Sequence, residues 1–294
     1  MNAPLPTVAG VTPSSRWLPP GPWKTVLDFF QDQYPGVAVE TWTTRMAKGE
    51  VLDECGRTVD PNTVYRAGAC IFYYRELENE TVIPFVEQVL FQDEHILVAD
   101  KPHFLPVIPS GRFLHQTLLV RLRNTYNFQN LAPIHRLDRE TAGVVLFSIN
   151  SETRGHYTSL FRKRMVTKVY EALAPTTDTT KFPMIRSSRI VRGEPFFRMK
   201  EVAGVANAET QITYERTVGC KSIYRLTPLT GRKHQLRLHL AALGIPIVND
   251  RLYPVIRQVD DDDFSRPLKL LAKSLAFQDP ISGHQHYFES GIKL

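Results

Sequence analysis

HRLDRETAG, residues 135–143, runs straight into VVLFSI, residues 144–149. One acid, Asp138, sits between Arg136 and Arg139 in a polar loop, with His135 in front. The run that follows is short, apolar and rich in β-branched and aromatic residues, which predicts a buried strand. Cations on both sides favour the charged form of a carboxylate. A charged carboxylate is a poor general acid but a usable nucleophile or base. Taken alone, the same residues also describe a turn-capping Asp paired with an arginine. The surrounding sequence decides between the two.

Upstream, HILVADKP (95–102) predicts a strand ending at Pro102, followed by the Pro-rich loop FLPVIPSG. LHQTLLVRLRNTY (114–126) has helical spacing, with Leu118, Leu119 and Leu122 on one face. Downstream, RGHYTSLFRKRMVTK (154–168) carries five basic residues and no acid. It begins as a helix and presents either an ordinary solvated face or one that contacts phosphates. KVYEALAP (168–175) alternates as a strand, and QITYERTV (211–218) and SIYRLTPL (222–229) read as neighbouring strands joined at Gly219-Cys220. HQLRLHLAALG (234–244) is a helix with Leu236, Leu240 and Leu243 along one side, stopped by Gly244 and Pro246. The acidic run DDDD (260–263) reads as a solvated loop. Strands and helices mix without strict alternation, which predicts an α+β fold.

The first 22 residues, rich in Pro, Ser and Thr, read as a flexible leader without the pattern of a signal peptide. Residues 23–85 form a small module: a helix in WKTVLDFFQDQY, a second in ETWTTRMAKG stopped at Gly49, then short strands. Two short helices before a small β-ribbon resemble the S4-type RNA-binding module. Residues 1–85 are net −3, which equally suits a docking or capping role.

The 294 residues carry a formal charge of +6, and residues 86–294 alone carry +9. That excess suits a polyanionic partner. Three widely spaced cysteines, Cys55, Cys70 and Cys220, suit a reducing cytoplasm rather than a disulfide framework. No apolar run approaches the roughly 20 residues of a membrane span. A protein kinase is excluded because Leu137 separates Arg136 from Asp138 and no DFG is present. P-loop and dinucleotide fingerprints are absent. His234 and His239 lack the acid or cysteine partners of a metal site, so no metal is expected.

HRLDRETAG before its strand resembles the H-R-L-D-x-x-T-S-G motif of the RluA-type pseudouridine synthases. KVYEAL resembles that family's tyrosine strand. TGRKHQLRLHLAALGIPIVND (230–250) resembles G-R-T-H-Q-I-R-V-H-L-x-x-x-G-H-P-I-x-G-D. DKPHFLPVIPSG and LLAKSLAFQDPISG resemble the family's upstream D-K-P and closing L-H-A-x-x-L-x-F-x-H-P segments. The likeness spans about residues 86–294, in order. Ala142, Lys233, Ile245, Asn249, Leu271 and Asp279 depart from these patterns, and none is a proposed catalytic residue.

The resemblance implies a pseudouridine synthase fold, a curved, mixed, mainly antiparallel sheet flanked by helices, over residues 86–294. It implies that Asp138 is the catalytic aspartate, that Tyr170 packs against the target base, and that Arg237 pairs with the aspartate. Arg136 would help fill the gap left by the departing uridine. His135, Arg136, Arg139, Arg162, Lys163, Arg164, Arg232, His234 and Gln235 are expected to contact RNA. The reaction needs no cofactor. The partner would be rRNA or tRNA and not a membrane, and the chain is expected to be a cytoplasmic monomer. Two rivals stay open: an RNA-binding or ribosome-assembly protein without turnover, and a glycosidase-like enzyme acting on free nucleosides.

Overall fold

The computed structural model describes residues 3–77, 79–258 and 263–294. Asp260–Asp262 of the acidic run lie outside them. The chain divides into two units: Met1–Glu80 with Gly111–His115, and Thr81–Ser110 with Gln116–Leu294. Among the described residues, no helix is long and apolar enough to cross a membrane.

The smaller unit holds β1 (Ser14–Trp17), α1 (Val26–Gln33), α2 (Val39–Ala47), β2 (Val51–Asp53) and β3 (Cys70–Tyr73), with an antiparallel sheet ordered β1-β3-β2. Thr25 opens α1 in a capping box with Asp28, which satisfies amide groups at the helix start. Phe29, Phe30 and Trp42 fill the core between the helices and the sheet. Lys48 and the left-handed Gly49 end α2 as the spacing predicts. Two expectations are corrected here. Residues 14–17 are not leader but strand β1, paired with β3, and the next residue, Leu18, is buried in this core. The division also falls after Glu80 rather than residue 85, and residues 111–115 return to the smaller unit through the Leu114 and His115 amides, which donate to Glu80.

The larger unit is α+β, as expected. It contains β4 (Gln88–Gln92), β5 (Ile96–Lys101), α3 (Leu118–Tyr126), β6 (Ala132–Pro133), β7 (Ala142–Ser148), α4 (Arg154–Arg162), β8 (Thr167–Pro175), β9 (Met184–Arg192), β10 (Met199–Val202), β11 (Ala208–Val218), β12 (Lys221–Pro228), α5 (Gln235–Ala242), β13 (Leu270–Gln278) and β14 (Gln285–Glu289). Its sheet runs β10-β9-β11-β12-β8-β13-β7-β5-β4, with β14 beside β13 and β6 beside β7. Pairing is antiparallel except between β7 and β13. Helix α5 sets Leu236 and Leu240 on Ala172, Tyr224 and Leu226 of the sheet. Helix α4 sets Tyr157 and Leu160 on Val144, Leu146 and Leu275. Full burial of such a leucine contributes roughly 1.5–3 kcal/mol.

All seven residues of β7 are buried, because the strand is paired on both edges and covered by packed side chains. Its glycine is required. Gly143 has φ +114°, and a Cβ there would lie 2.2 Å from the Ala272 carbonyl oxygen across the parallel pairing. Gly143→Ala is expected to destabilise the larger unit by about 3 kcal/mol or more, read as a lower urea midpoint. An unchanged midpoint would show that β7 and β13 do not meet this closely.

The departures from the family patterns also have local reasons. Ile245 and Leu271 are buried apolar side chains in the core. Asn249 stands at φ +64°, a left-handed position that glycine or asparagine fills most readily. Asp279 accepts a 2.7 Å hydrogen bond from the buried Tyr157 hydroxyl.

Candidate active site

The loop 135–141 ends on β7, and its backbone is tied at several points. The Thr141 amide donates to the Asp138 carbonyl, and His103 Nδ1 lies 2.7 Å from the Glu140 carbonyl. Lys101, at the end of β5, is fully buried and donates to the carbonyls of Pro102, Leu105 and Arg139 at 2.9, 2.8 and 3.1 Å. Burial pulls its ammonium down to about 7, against the opposing pull of Glu140 and Asp138. The Lys101 amine under the loop and a strand behind it hold Asp138 in place.

Asp138 opens on a cleft of about 1110 Å³ that Arg136, Tyr170, His234 and Arg237 also line. The side chains of Asp138 and Arg237, 99 residues apart, meet here. Arg237 is 3 % exposed on the inner side of α5. Its Nε and Nη2 donate to Asp250 Oδ2 and Oδ1 at 2.8 and 2.7 Å, and its Nη1 reaches Asp138 Oδ2 at 3.4 Å. Asp250 is buried and also accepts the amides of Leu252 and Tyr253. Its carboxylate and that of Asp138 raise the Arg237 pKa despite burial. The guanidinium is therefore fixed by Asp250 and offers one remaining arm to Asp138. Tyr170, on β8, has its hydroxyl pKa raised by burial and then by Asp138. A neutral phenol ring facing the cleft is suited to stacking.

His234 takes a different place from the one expected of an RNA contact. It sits at φ +58° at the start of α5, is buried, and lies with Nε2 3.8 Å from Asp138 Oδ2. Its Nδ1 shares a 2.8 Å hydrogen bond with the Tyr253 hydroxyl. The hydroxyl's other acceptor, the Met199 carbonyl, is farther away at 3.3 Å. With the hydroxyl donating to Nδ1, the His234 proton is on Nε2, facing the carboxylate. Burial brings His234 down to about 4, so it is a neutral neighbour of Asp138.

Gln235 and His135, also expected to contact RNA, line the cleft but are held within the fold. Gln235 is buried and builds the loop before α5. It accepts from Thr230 Oγ1 and the Arg232 amide, and donates to the Glu209 carbonyl and Thr210 Oγ1. His135 stacks on Phe161 and accepts the Leu146 amide at Nε2, and burial and Lys168 bring it down to about 3. Neither can present a charge to a phosphate. Arg139 lines the cleft but is ion-paired with Glu140 at 2.8 Å. Arg136, Arg162, Arg164 and Arg232 are exposed and line the cleft, whereas the exposed Lys163 does not line it. Lys168 and Lys233 add cations to the cleft wall that the motif reading did not single out.

The histidines make acid sensitivity measurable. His135, His234 and His239 are held down to about 3, 4 and 4 by burial, against an ordinary 6.5. Below pH 6.5 the unfolded chain therefore binds protons that the folded chain refuses, and stability falls as pH falls toward 4. Each histidine contributes up to about 1.4 kcal/mol per pH unit in that window. Urea midpoints at pH 7 and pH 5 should differ strongly, and His239→Gln should reduce the difference. Equal midpoints would contradict buried neutral histidines.

The family model for RNA pseudouridylate synthase matches residues 95–242. The chain is 33% identical over 207 residues to the dual-specificity RNA pseudouridine synthase RluA of Vibrio vulnificus, covering 66% of this chain and 79% of that one. It is 31% identical over 241 residues to the mitochondrial tRNA pseudouridine(32) synthase of Saccharomyces cerevisiae, covering 78% of this chain and 50% of the relative. Among solved structures, human RNA pseudouridylate synthase domain containing 4 superposes with a TM-score of 0.55 at 25% identity, over 70% of this chain and 88% of that one. The matched residues include the Asp138 loop, β8 with Tyr170 and the whole of α5 with Arg237. The chain belongs to the RNA pseudouridylate synthase family, of the RluA type, whose enzymes isomerise uridine to pseudouridine in RNA.

Proposed function

We propose that this chain isomerises uridine in structured rRNA or tRNA, with Asp138 as the catalytic carboxylate, Tyr170 against the target base and Arg237 positioning Asp138. The observation that carries this is the shared guanidinium. Asp250 holds Arg237 by two short bonds, and Asp138 receives one long contact at 3.4 Å on Oδ2. Asp138 is thus aligned without being locked in a tight ion pair, and Oδ1 is the oxygen assigned to the sugar.

The uracil is detached from C1′ at N1, turned, and rejoined through C5. The proton lost from C5 is balanced by the one gained at N1. Asp138 acts by attack on C1′, giving a covalent glycosyl intermediate, or by removing the 2′ proton to give a glycal. Both routes need one carboxylate and no cofactor. The detached base must stay in the cleft, and the half-buried Tyr170 ring is placed to hold it. Extruding the uridine costs a few kcal/mol, which phosphate contacts can offset.

Arg162 and Arg164 are exposed on the cleft wall and are assigned to phosphates. Replacing both by Gln should weaken RNA binding and make the log–log salt dependence shallower by roughly 0.7 for each lost contact. An unchanged slope would remove them from the phosphate footprint. The substrate class is tested by nucleoside analysis of unmodified tRNA and large-subunit rRNA transcripts after incubation with the chain. Pseudouridine in either transcript supports this reading, and tight binding without pseudouridine in both favours a non-catalytic RNA-binding protein.

A further inference from the structure

The turn GEPFFR, residues 193–198, joins β9 to β10, the outermost strand of the sheet. It carries two large aromatic side chains at its apex. Phe196 is 86% exposed and Phe197 37% exposed, with ring centroids 5.5 Å apart in an edge-to-face pair. The turn is well built. The Gly193 amide donates to the Arg198 carbonyl at 3.0 Å and the Arg198 amide to the Pro195 carbonyl at 2.8 Å. A tight, hydrogen-bonded turn that holds the Phe196 ring out in water, with the partly covered Phe197 ring beside it, exposes apolar surface from which no core gains.

The turn is anchored to the catalytic cleft. Lys233 lines the cleft and donates from Nζ to the Phe197 carbonyl at 3.0 Å. Arg198 lies over the Tyr253 ring, 5.0 Å from its centroid, and donates to the Pro254 carbonyl at 2.9 Å. Tyr253 is the residue that holds His234 beside Asp138. The exposed rings and the catalytic carboxylate thus share one rigid base. Cations outnumber the exposed acid of the turn, Glu194: Arg189, Arg192 and Lys200 are exposed on the hairpin, and Arg232 and Lys233 on the adjoining loop.

We infer that the 193–198 turn is an RNA-binding element in which Phe196 and Phe197 stack on unpaired bases flanking the target uridine. Aromatic rings among cations are the combination that holds single-stranded nucleic acid, the rings taking base faces and the cations taking phosphates. A rigid aromatic pair beside the cleft would also hold the neighbours of an extruded uridine apart from it. This rests on the RNA reading of the cleft.

The test is fluorescence anisotropy with a labelled, unstructured single-stranded RNA 12-mer, across a salt series. It compares the full wild-type chain, Phe196→Ala with Phe197→Ala, and Phe196→Tyr with Phe197→Tyr. The alanine pair should bind about 10- to 100-fold more weakly with an unchanged salt slope, because the phosphate contacts remain. The tyrosine pair should bind like wild type. Wild-type affinity in the alanine pair overturns this inference alone. So does a loss that tyrosine fails to rescue, or a wild-type dimer that the alanine pair dissociates without loss of RNA affinity. A wild-type chain that binds the structured transcripts but not the oligomer overturns this inference alone, and one that binds neither overturns the RNA reading of the cleft as well.

Discussion

Asp138→Asn should lower single-turnover isomerisation by at least about 10⁴-fold while leaving RNA affinity unchanged. The substitution keeps shape, so Arg237 Nη1 still meets an oxygen where it now meets Oδ2 at 3.4 Å. It removes the charge and the attacking lone pair that either route requires. Removal of a nucleophile on which both bond-breaking and bond-making depend is among the largest effects in enzyme kinetics. Asp250, the other carboxylate on Arg237, cannot substitute, because it is buried and both its oxygens are engaged. Filter binding and single-turnover kinetics on the same RNA check the two halves. Turnover within tenfold of wild type would remove Asp138 from its assigned role.

Arg237→Ala should reduce both stability and activity, and the two effects can be separated. Asp250 would be left as an uncompensated carboxylate whose side chain is 1% exposed, which costs about 3–5 kcal/mol. Asp138 would lose the cation that orients it, with an expected loss of about 10²- to 10³-fold in turnover. Adding Asp250→Asn to Arg237→Ala removes the stranded charge, so the double variant should recover much of the urea midpoint and none of the turnover. Recovery of both would mean that Arg237 acts only through stability. Arg237→Lys should fall short of wild type, because one ammonium cannot bridge two carboxylates with the geometry of a planar fork.

That Asp138, Tyr170 and Arg237 line one cleft was legible in the sequence because each lies within a short motif attached to one element: the loop before β7, strand β8 and helix α5. The identity of the elements followed from periodicity, as in the all-buried β7 and the leucines of α5. Asp250 closes the third motif and Tyr253 follows it, yet their roles depend on side chains that meet only once α5 is folded against the following loop. Lys101 carries no visible sign of its burial beneath the Arg139 carbonyl. The burial of His234 and Gln235 was hidden for a related reason. Polar residues beside a basic loop read as surface contacts, but the left-handed turn at His234 swings both inward. The 193–198 turn gave no motif at all. Its meaning comes from exposure, which alternation in a sequence does not reveal for a hairpin at the sheet edge. In the smaller unit, β1 hid in a Pro- and Ser-rich stretch because only its partner β3 makes it a strand.

The most direct test of the central claim uses RNA transcripts labelled with tritium at uridine C5, incubated in excess of wild-type chain or Asp138→Asn. Isomerisation exchanges the C5 hydrogen for the bond to C1′, so each event releases tritium to water. The account predicts release with wild type, matched mole for mole by pseudouridine on nucleoside analysis, and none with Asp138→Asn at equal RNA binding. Release that persists in Asp138→Asn, or bound RNA that yields neither tritium nor pseudouridine with wild type, would contradict it.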